Sequence, residues 1–232
     1  MPVHNATNER SGNFGLRQSR RGRTAFSAGT DLKASRASDG QPVNVSRQMR
    51  VQRFIADMVL HMSRIPQPII AAINGVAAGG GFSLTMATDI RIAAQNARFI
   101  CSYINVGLSS GEIGSSYFLP RLIGLARAAD LLYTGRTMDA DEALRIGYVS
   151  RVVPDGEALN AAMDTARVLL EKSPFGLRMT KEVLNHSIDA QSLEAALYME
   201  NRTQTLGVVS GDFREAAKAF TEKRKPHYDV EA

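Results

Sequence analysis

The order of patterns along the chain predicts an α/β fold closed by a helical C-terminal section. Three observations carry that prediction. Between residues 51 and 154, short apolar runs bounded by glycine or proline alternate with segments of helical period. A Gly79-Gly80-Gly81 run stands between one such apolar run and a short helical segment. From Glu157 onward the period is almost wholly helical.

The elements follow in order. Residues 1–23 show no period; they hold Arg10, Arg17, Arg20, Arg21 and Arg23 against Glu9, which is +4 of the formal net charge of +5. The rest of the chain is nearly neutral, so the basic balance belongs to an N-terminal arm, read as disordered, and nucleic acid is not the expected partner. A core over 24–155 and a helical region over 156–232 are expected after it. Val51, Ile55, Met58, Val59 and Met62 recur at helical spacing and predict one face of an amphipathic helix. It must stop at "RIPQP", because Pro66 and Pro68 disfavour helical geometry in the residues before them. Ile69 to Ile73 reads as a buried strand, Asn74-Gly75 as a turn, then a glycine corner, a short helix, and a second strand at Ile90 to Ala94. Residues 125–134 and 139–146 read as helices, and "YVSRVV" as a strand closed by Pro154. Four helices follow, at 157–171, 174–189, 192–208 and 212–224. Leu177, Val183, Leu184 and Ile188 mark the apolar face of the second. The last has Asp212 as N-cap and Phe213, Ala216, Ala217 and Phe220 on one side. Apolar helices appended to an α/β body predict packing on a neighbouring subunit.

Composition narrows the chemistry. With 232 residues, 44% apolar and 22% charged, the chain has the material for a sizeable core. No run approaches the roughly 18 to 20 apolar residues of a membrane span, and the start carries no apolar targeting segment, so a soluble cytoplasmic protein is expected. Cys101 is the one cysteine, which excludes an intrachain disulfide and reads as a small apolar filler. His4, His61, His186 and His227 lack ligand spacing, so no metal is expected.

The glycine run admits two readings. Close strand–helix packing is one. The other is an anion site, because glycines after a strand and before a helix offer bare backbone N–H groups at the positive end of the helix dipole. It is neither a dinucleotide fingerprint nor a Walker loop, since G-x-G-x-x-G and G-K-[ST] are both missing. "FSAGTDL" (26–32) supplies a second tight turn at Ala28-Gly29-Thr30. Were it to aim an N–H into the same cleft, two donors would converge on one oxygen that gains negative charge during reaction, forming an oxyanion hole.

"IAAINGVAAGGGFSLTMATDI" (70–90) resembles the signature of the enoyl-CoA hydratase/isomerase (crotonase) family, and "FSAGTDL" is similar to its other oxyanion-hole segment. "RAADLLYTGRTMDADEALRIGYVSRVVP" and "AFTEKRKP" extend the resemblance over about residues 24–228. It implies a crotonase-like ββα spiral core, a C-terminal α-helical trimerisation region, a homotrimer or dimer of trimers, and action on acyl-CoA thioesters. Coenzyme A is then part of the substrate and no further cofactor is implied. Carried over by position, Thr30 and Gly80 would supply the oxyanion-hole N–H groups. Ala28, Asp31, Leu32, Val76, Gly79 and Tyr103 would face substrate, with Val106 and Phe118 nearby. Lys223 would reach the nucleotide.

The chain departs from that pattern in two places. The positions of the hydratases' two glutamates fall on Ser83 and Tyr103, so two-carboxylate hydration is not expected. Glu112, in "GLSSGEIG", aligns with an acidic residue that dienoyl-CoA isomerases and a chlorobenzoyl-CoA dehalogenase place in this loop. It is therefore the expected general acid/base, against a plain reading as a solvated loop glutamate. Tyr103 reads as a cleft wall or a proton donor. The lead-in before "FSAG" is also shorter than the family's, so an N-terminally shortened core is expected. Two rival readings remain. Gly107-Leu108-Ser109-Ser110-Gly111 fits the nucleophile elbow G-x-S-x-G, which requires a preceding strand, here "YINVG", and a histidine such as His186 or His227. A non-catalytic crotonase-fold scaffold that binds acyl-CoA, or RNA through the arm, is the other.

Overall fold

A computed structural model of the chain describes residues 25–29 and 44–228. The strands are β1 (Ala25–Ser27), β2 (Ile70–Ile73), β3 (Val76–Ala78), β4 (Ile90–Ala94), β5 (Arg98–Ile100), β6 (Thr137–Asp139) and β7 (Arg151–Val153). The helices are α1 (Val45–Arg64), α2 (Gly80–Met86), α3 (Ser115–Ile123), α4 (Leu125–Thr134), α5 (Ala140–Arg145), α6 (Ala158–Leu170), α7 (Pro174–Ser187), α8 (Leu193–Val209) and α9 (Gly211–Thr221). A 3-10 turn spans Ile104–Val106.

Two sheets result. One has the order β1-β3-β5-β6, parallel except for the β5–β6 pair, and the other is the wholly parallel β2-β4-β7. Asn74-Gly75 carries the chain from β2 in one sheet to β3 in the other, and Gln95–Ala97 does the same between β4 and β5. Each strand pair thus gives one strand to each sheet, with α2 following the first pair, which is the expected spiral. Alanines at 71, 77, 93 and 94 are buried, and such small side chains let sheets and helices approach closely. Phe82, Phe99 and Tyr148 fill the space between, their ring centroids 5.1 to 5.5 Å apart. The buried Tyr148 hydroxyl meets Thr85 Oγ1 at 2.6 Å, which satisfies its polar tip.

Helix α1 begins earlier than its apolar spacing indicates, because the Asn44 side chain accepts from the Arg47 N–H at 2.9 Å and caps it. It ends at Ile65, before the prolines, as expected. Val51, Ile55, Val59 and Met62 face inward, whereas Met58 is exposed. Lys181 of α7 fastens its far end. That buried ammonium donates to the carbonyls of Met62 and Gln67, both at 3.0 Å, and to Asp89 Oδ2 at 2.9 Å.

Several expectations need correction. β1, β3, β5 and β6 have three residues each and were not expected as strands. β7 begins at Arg151 rather than at Tyr148, since Tyr148 and Val149 are buried in the core before the ladder starts. Asp212 does not cap α9; Ser210 does, and the Asp212 carboxylate accepts from Ser173 Oγ (2.6 Å) and the Phe175 N–H (3.1 Å) instead. The apolar positions read on the last helices divide, with Leu177 and Val183 half-buried. In α7 the buried position is Lys181 while Leu184 (66%) and Ile188 (55%) are exposed. In α9 Ala219 is buried, whereas Phe213 and Phe220 (87%) are exposed. The arm, residues 1–23, lies outside the described residues. Among those described, no helix is long and apolar enough to cross a membrane.

Candidate active site

β1 delivers the chain to Gly29, at φ +78°, where only glycine is unstrained. A Cβ at Gly29 would stand 2.9 Å from the Ala78 carbonyl oxygen and 3.4 Å from the Gly80 nitrogen. The turn after β1 and the start of α2 are therefore in direct contact, as the two glycine-bearing stretches require. Thr30, Asp31 and Leu32 lie outside the described residues. Ala28 is exposed.

The three glycines of the run divide the two sequence readings between them. Gly81 is there for packing: a Cβ would meet the Ser27 side chain and carbonyl at about 2.6 Å. Gly79, at φ +52°, donates its N–H to the Ile100 carbonyl (3.0 Å) and so spends it on the sheet. The Gly80 N–H opens the first turn of α2, where no intrahelical acceptor exists, and has no partner among the described residues.

Tyr103 and the Glu112 turn close over this point. The Tyr103 ring lies against Gly79, and its hydroxyl stands 3.7 Å from where a Gly80 Cβ would be, with Ile113 Cδ1 at 3.5 Å on the same side. Tyr103 and Ser83, the two positions without carboxylates, meet each other: Ser83 Oγ and Tyr103 Oη are 3.3 Å apart. Ser83 Oγ also donates to the Glu112 carbonyl at 3.2 Å. The Glu112 N–H donates to Ser115 Oγ at 3.0 Å, and the Ser115 N–H returns to the Glu112 carbonyl at 3.0 Å. Ile113 follows at φ +50°, a strained conformation for a β-branched residue, and Gly114 at φ +79°.

Burial sets the electrostatics. It raises the Glu112 carboxyl above the usual carboxylate range, and a hydrogen bond from the Gln52 side chain of α1 draws it partly back. Burial likewise pushes Tyr103 up to about 12, against the opposing Ser83 hydrogen bond and aided by the Glu112 charge, so it stays a neutral phenol near pH 7. The arrangement offers one carboxylate whose proton affinity is raised by burial, in a turn that packs on the helix end bearing a free backbone donor among the described residues.

The remaining candidates are placed as follows. Val76 is half-buried in β3, between Ala25 and Arg98, and the half-buried Phe118 ring packs on Gly114. Val106 is exposed on the 3-10 turn. Lys223 is exposed in the turn after α9 at φ +53°, and no described contact joins it to Gly80 or Glu112. The nucleophile elbow is absent, because "YINVG" is a 3-10 turn rather than a strand and Ser109 Oγ accepts from the Gly111 N–H. Among the described residues no metal-holding group of His, Cys, Asp or Glu forms. A cleft of about 570 Å³ lies elsewhere, between α7, α8 and α9, lined by Phe175, Met179, Val183 and Phe213. Sequence reasoning identified Ser83 only as a missing carboxylate and did not identify Gln52. Ser83 sits one helical turn past Gly80, a signal within the sequence, whereas nothing local marks Gln52.

Known proteins share this arrangement of elements. The profile of the family described as Enoyl-CoA hydratase/isomerase matches residues 20–231. The chain is 40% identical over 205 residues to the Mycobacterium bovis protein named "Probable enoyl-CoA hydratase echA12", covering 87% of this chain and 72% of that one. It is 36% identical over 203 residues to the 1,2-epoxyphenylacetyl-CoA isomerase of Escherichia coli (strain K12), covering 88% and 76%. The crystal structure of an enoyl-CoA hydratase from Bacillus anthracis superposes with a TM-score of 0.82 at 37% identity, covering 89% of this chain and 78% of that one. With the profile matching most of its length and these relatives overlapping the same residues, the chain belongs to the enoyl-CoA hydratase/isomerase (crotonase) family.

Proposed function

We propose that the protein acts on an acyl-CoA thioester as an enoyl-CoA isomerase-type enzyme, with the N–H groups of Thr30 and Gly80 as its oxyanion hole and Glu112 as its proton carrier. The observation that carries this reading is the seating of Gly29 on Ala78 and Gly80, 2.9 and 3.4 Å from a would-be Cβ, beside the Glu112 turn. In a 3-enoyl chain the Glu112 carboxylate takes the proton on the carbon next to the thioester. The freed electron pair moves into the carbonyl, and the oxygen becomes an enolate that two preorganised N–H groups hold. Removing one such donor costs about 2.7–4 kcal/mol in other acyl-transfer sites. The protonated Glu112 then returns the same proton two carbons further along, which leaves a 2-enoyl thioester. Nothing is oxidised or reduced, and the thioester itself takes the charge, so the reading needs no cofactor beyond the coenzyme A of the substrate.

One carboxylate suffices for this transfer. Hydration by a carboxylate pair is disfavoured, because Ser83 and Tyr103 are neutral hydroxyls bonded to each other. The proposed assembly is a trimer or dimer of trimers, supported by the exposed apolar side chains of α8 and α9, among them Tyr198 (78%) and Phe220 (87%). Incubation of the purified protein with 2-enoyl- and 3-enoyl-CoA, read by mass spectrometry and chromatography, tests the function. Interconversion at constant mass is expected. A product heavier by one water would replace isomerisation with hydration, and binding without any product would favour a non-catalytic scaffold.

A further inference from the structure

We propose that Ser83 and Tyr103 are positioning residues, a chain of two hydroxyls that holds the Glu112 turn against the Gly80 end of α2. The positioning role rests on the proposed function; the tie itself does not. Ser83 is 1% exposed and lies three residues past Gly80, on the same face of the helix. A hydroxyl has one proton to give. Ser83 gives its proton to the Glu112 carbonyl at 3.2 Å, so Tyr103 must be the donor in the 3.3 Å contact with Ser83 Oγ. Burial keeps the Tyr103 phenol protonated and able to fill that part.

One atom, Ser83 Oγ, therefore joins α2, the corner at Tyr103 and the turn at Glu112. Among the described residues it is the hydrogen bond that ties this turn to α2, because the bonds through Ser115 and Ser109 close within the turn's own neighbourhood. The turn needs an external hold. Ile113 occupies left-handed backbone at φ +50°, and such strain persists where the surroundings fix it. Neutral hydroxyls also suit the task electrostatically. A carboxylate at Ser83 or Tyr103 would set a second titrating charge beside Glu112 and compete for its proton, whereas a serine and a protonated phenol hold the backbone without entering that equilibrium.

Ser83→Ala and Tyr103→Phe in the full chain test the proposal by two measurements. The first is amide hydrogen–deuterium exchange of peptides covering residues 107–114, which needs no substrate. Loss of the Ser83 hydroxyl is expected to speed exchange there by roughly two- to tenfold, the range one hydrogen bond supports, while peptides covering β4 stay unchanged. Tyr103→Phe removes the outer hydroxyl alone and is expected to give a smaller change in the same peptides. The second is turnover of the substrate identified for the wild type. Ser83→Ala is expected to lower kcat by roughly 10- to 100-fold with KM little changed, the signature of a misplaced reacting group. In a Glu112→Gln background it is expected to cost nothing more. Unchanged exchange at 107–114 would overturn the tie. Faster exchange with kcat intact would overturn the positioning role. If Ser83→Ala fails to fold, exchange rises everywhere, and Tyr103→Phe decides by the same two measurements. A wild type that turns over no thioester would overturn the functional reading, and the positioning role with it, while loop exchange still decides the tie.

Discussion

Gly29 has room for a hydrogen and nothing larger. Gly29→Ala would press a methyl onto the Ala78 carbonyl in a backbone conformation alanine resists, and would force the turn off the Gly80 end of α2, disturbing the proposed oxyanion hole. Loss of about 10² to 10³ in kcat is expected, the cost of one displaced oxyanion donor. Gly124→Ala is the control. Gly124 shares a positive φ of +82° but a Cβ there meets nothing within 4 Å, so kcat should hold while stability falls by about 1 kcal/mol. In the proposed mechanism Glu112 sets the pH dependence. It works as a base when ionised, and burial raises its pKa, so kcat/KM should fall as pH drops through a value above the ordinary carboxylate range. Gln52 lowers that pKa, so Gln52→Ala should move the acid limb to higher pH, read from the pH–rate profile. Gly29, Gly80 and Glu112 were legible because glycine and carboxylate chemistry is written locally in "FSAG", "GGG" and "GEIG". Ser83 as a tie and Gln52 were not, because their roles depend on partners 29 and 60 residues away, which no local pattern encodes.

At the scale of elements, α1 meets the Glu112 turn through Gln52 and Val59 and is fastened near its C-terminal end by Lys181. Lys181→Met would leave two carbonyls and the Asp89 carboxylate without their shared donor. A loss of about 2–3 kcal/mol is expected, since hydrogen bonds to charged groups are worth about 1.5–3 kcal/mol. Differential scanning calorimetry should show it as a fall in Tm of roughly 4–12 °C. Most helices were legible from their period to within a few residues, but α1 was read short and α3 (Ser115–Ile123) was not expected as a helix. The three-residue strands β1, β3, β5 and β6 were not legible. A period of two cannot be established over "AFS" or "RFI", and those strands exist because the spiral places them beside neighbours already formed. The apolar faces of α7 and α9 were legible from their spacing, but which of their side chains the chain itself covers was not, because apolar spacing locates a face and does not say what covers it.

Across the whole molecule, that outward apolar surface supports the proposed assembly. Leu193, Tyr198, Val209 and Phe220 are all exposed on the two adjacent helices α8 and α9. Sedimentation equilibrium is expected to give three times the 25.2 kDa chain mass, or six times if trimers pair. Introducing charge with Tyr198→Asp and Phe220→Asp should shift the population toward the single-chain mass without unfolding it. A monomer at micromolar concentration would contradict the proposed assembly and leave the fold assignment untouched. The fold class was legible because alternating patterns, the glycine corner and the helical tail agreed with one another across the chain.

The central claim is that Glu112 moves a proton next to a thioester whose oxygen is held as an enolate. It is tested most directly by deuterium incorporation from heavy water into the α-carbon of a saturated acyl-CoA, measured for the wild type and for Glu112→Gln side by side. The account predicts exchange by the wild type and a loss of about 10² to 10⁴ in its rate in the variant. Equal exchange in both proteins would contradict it.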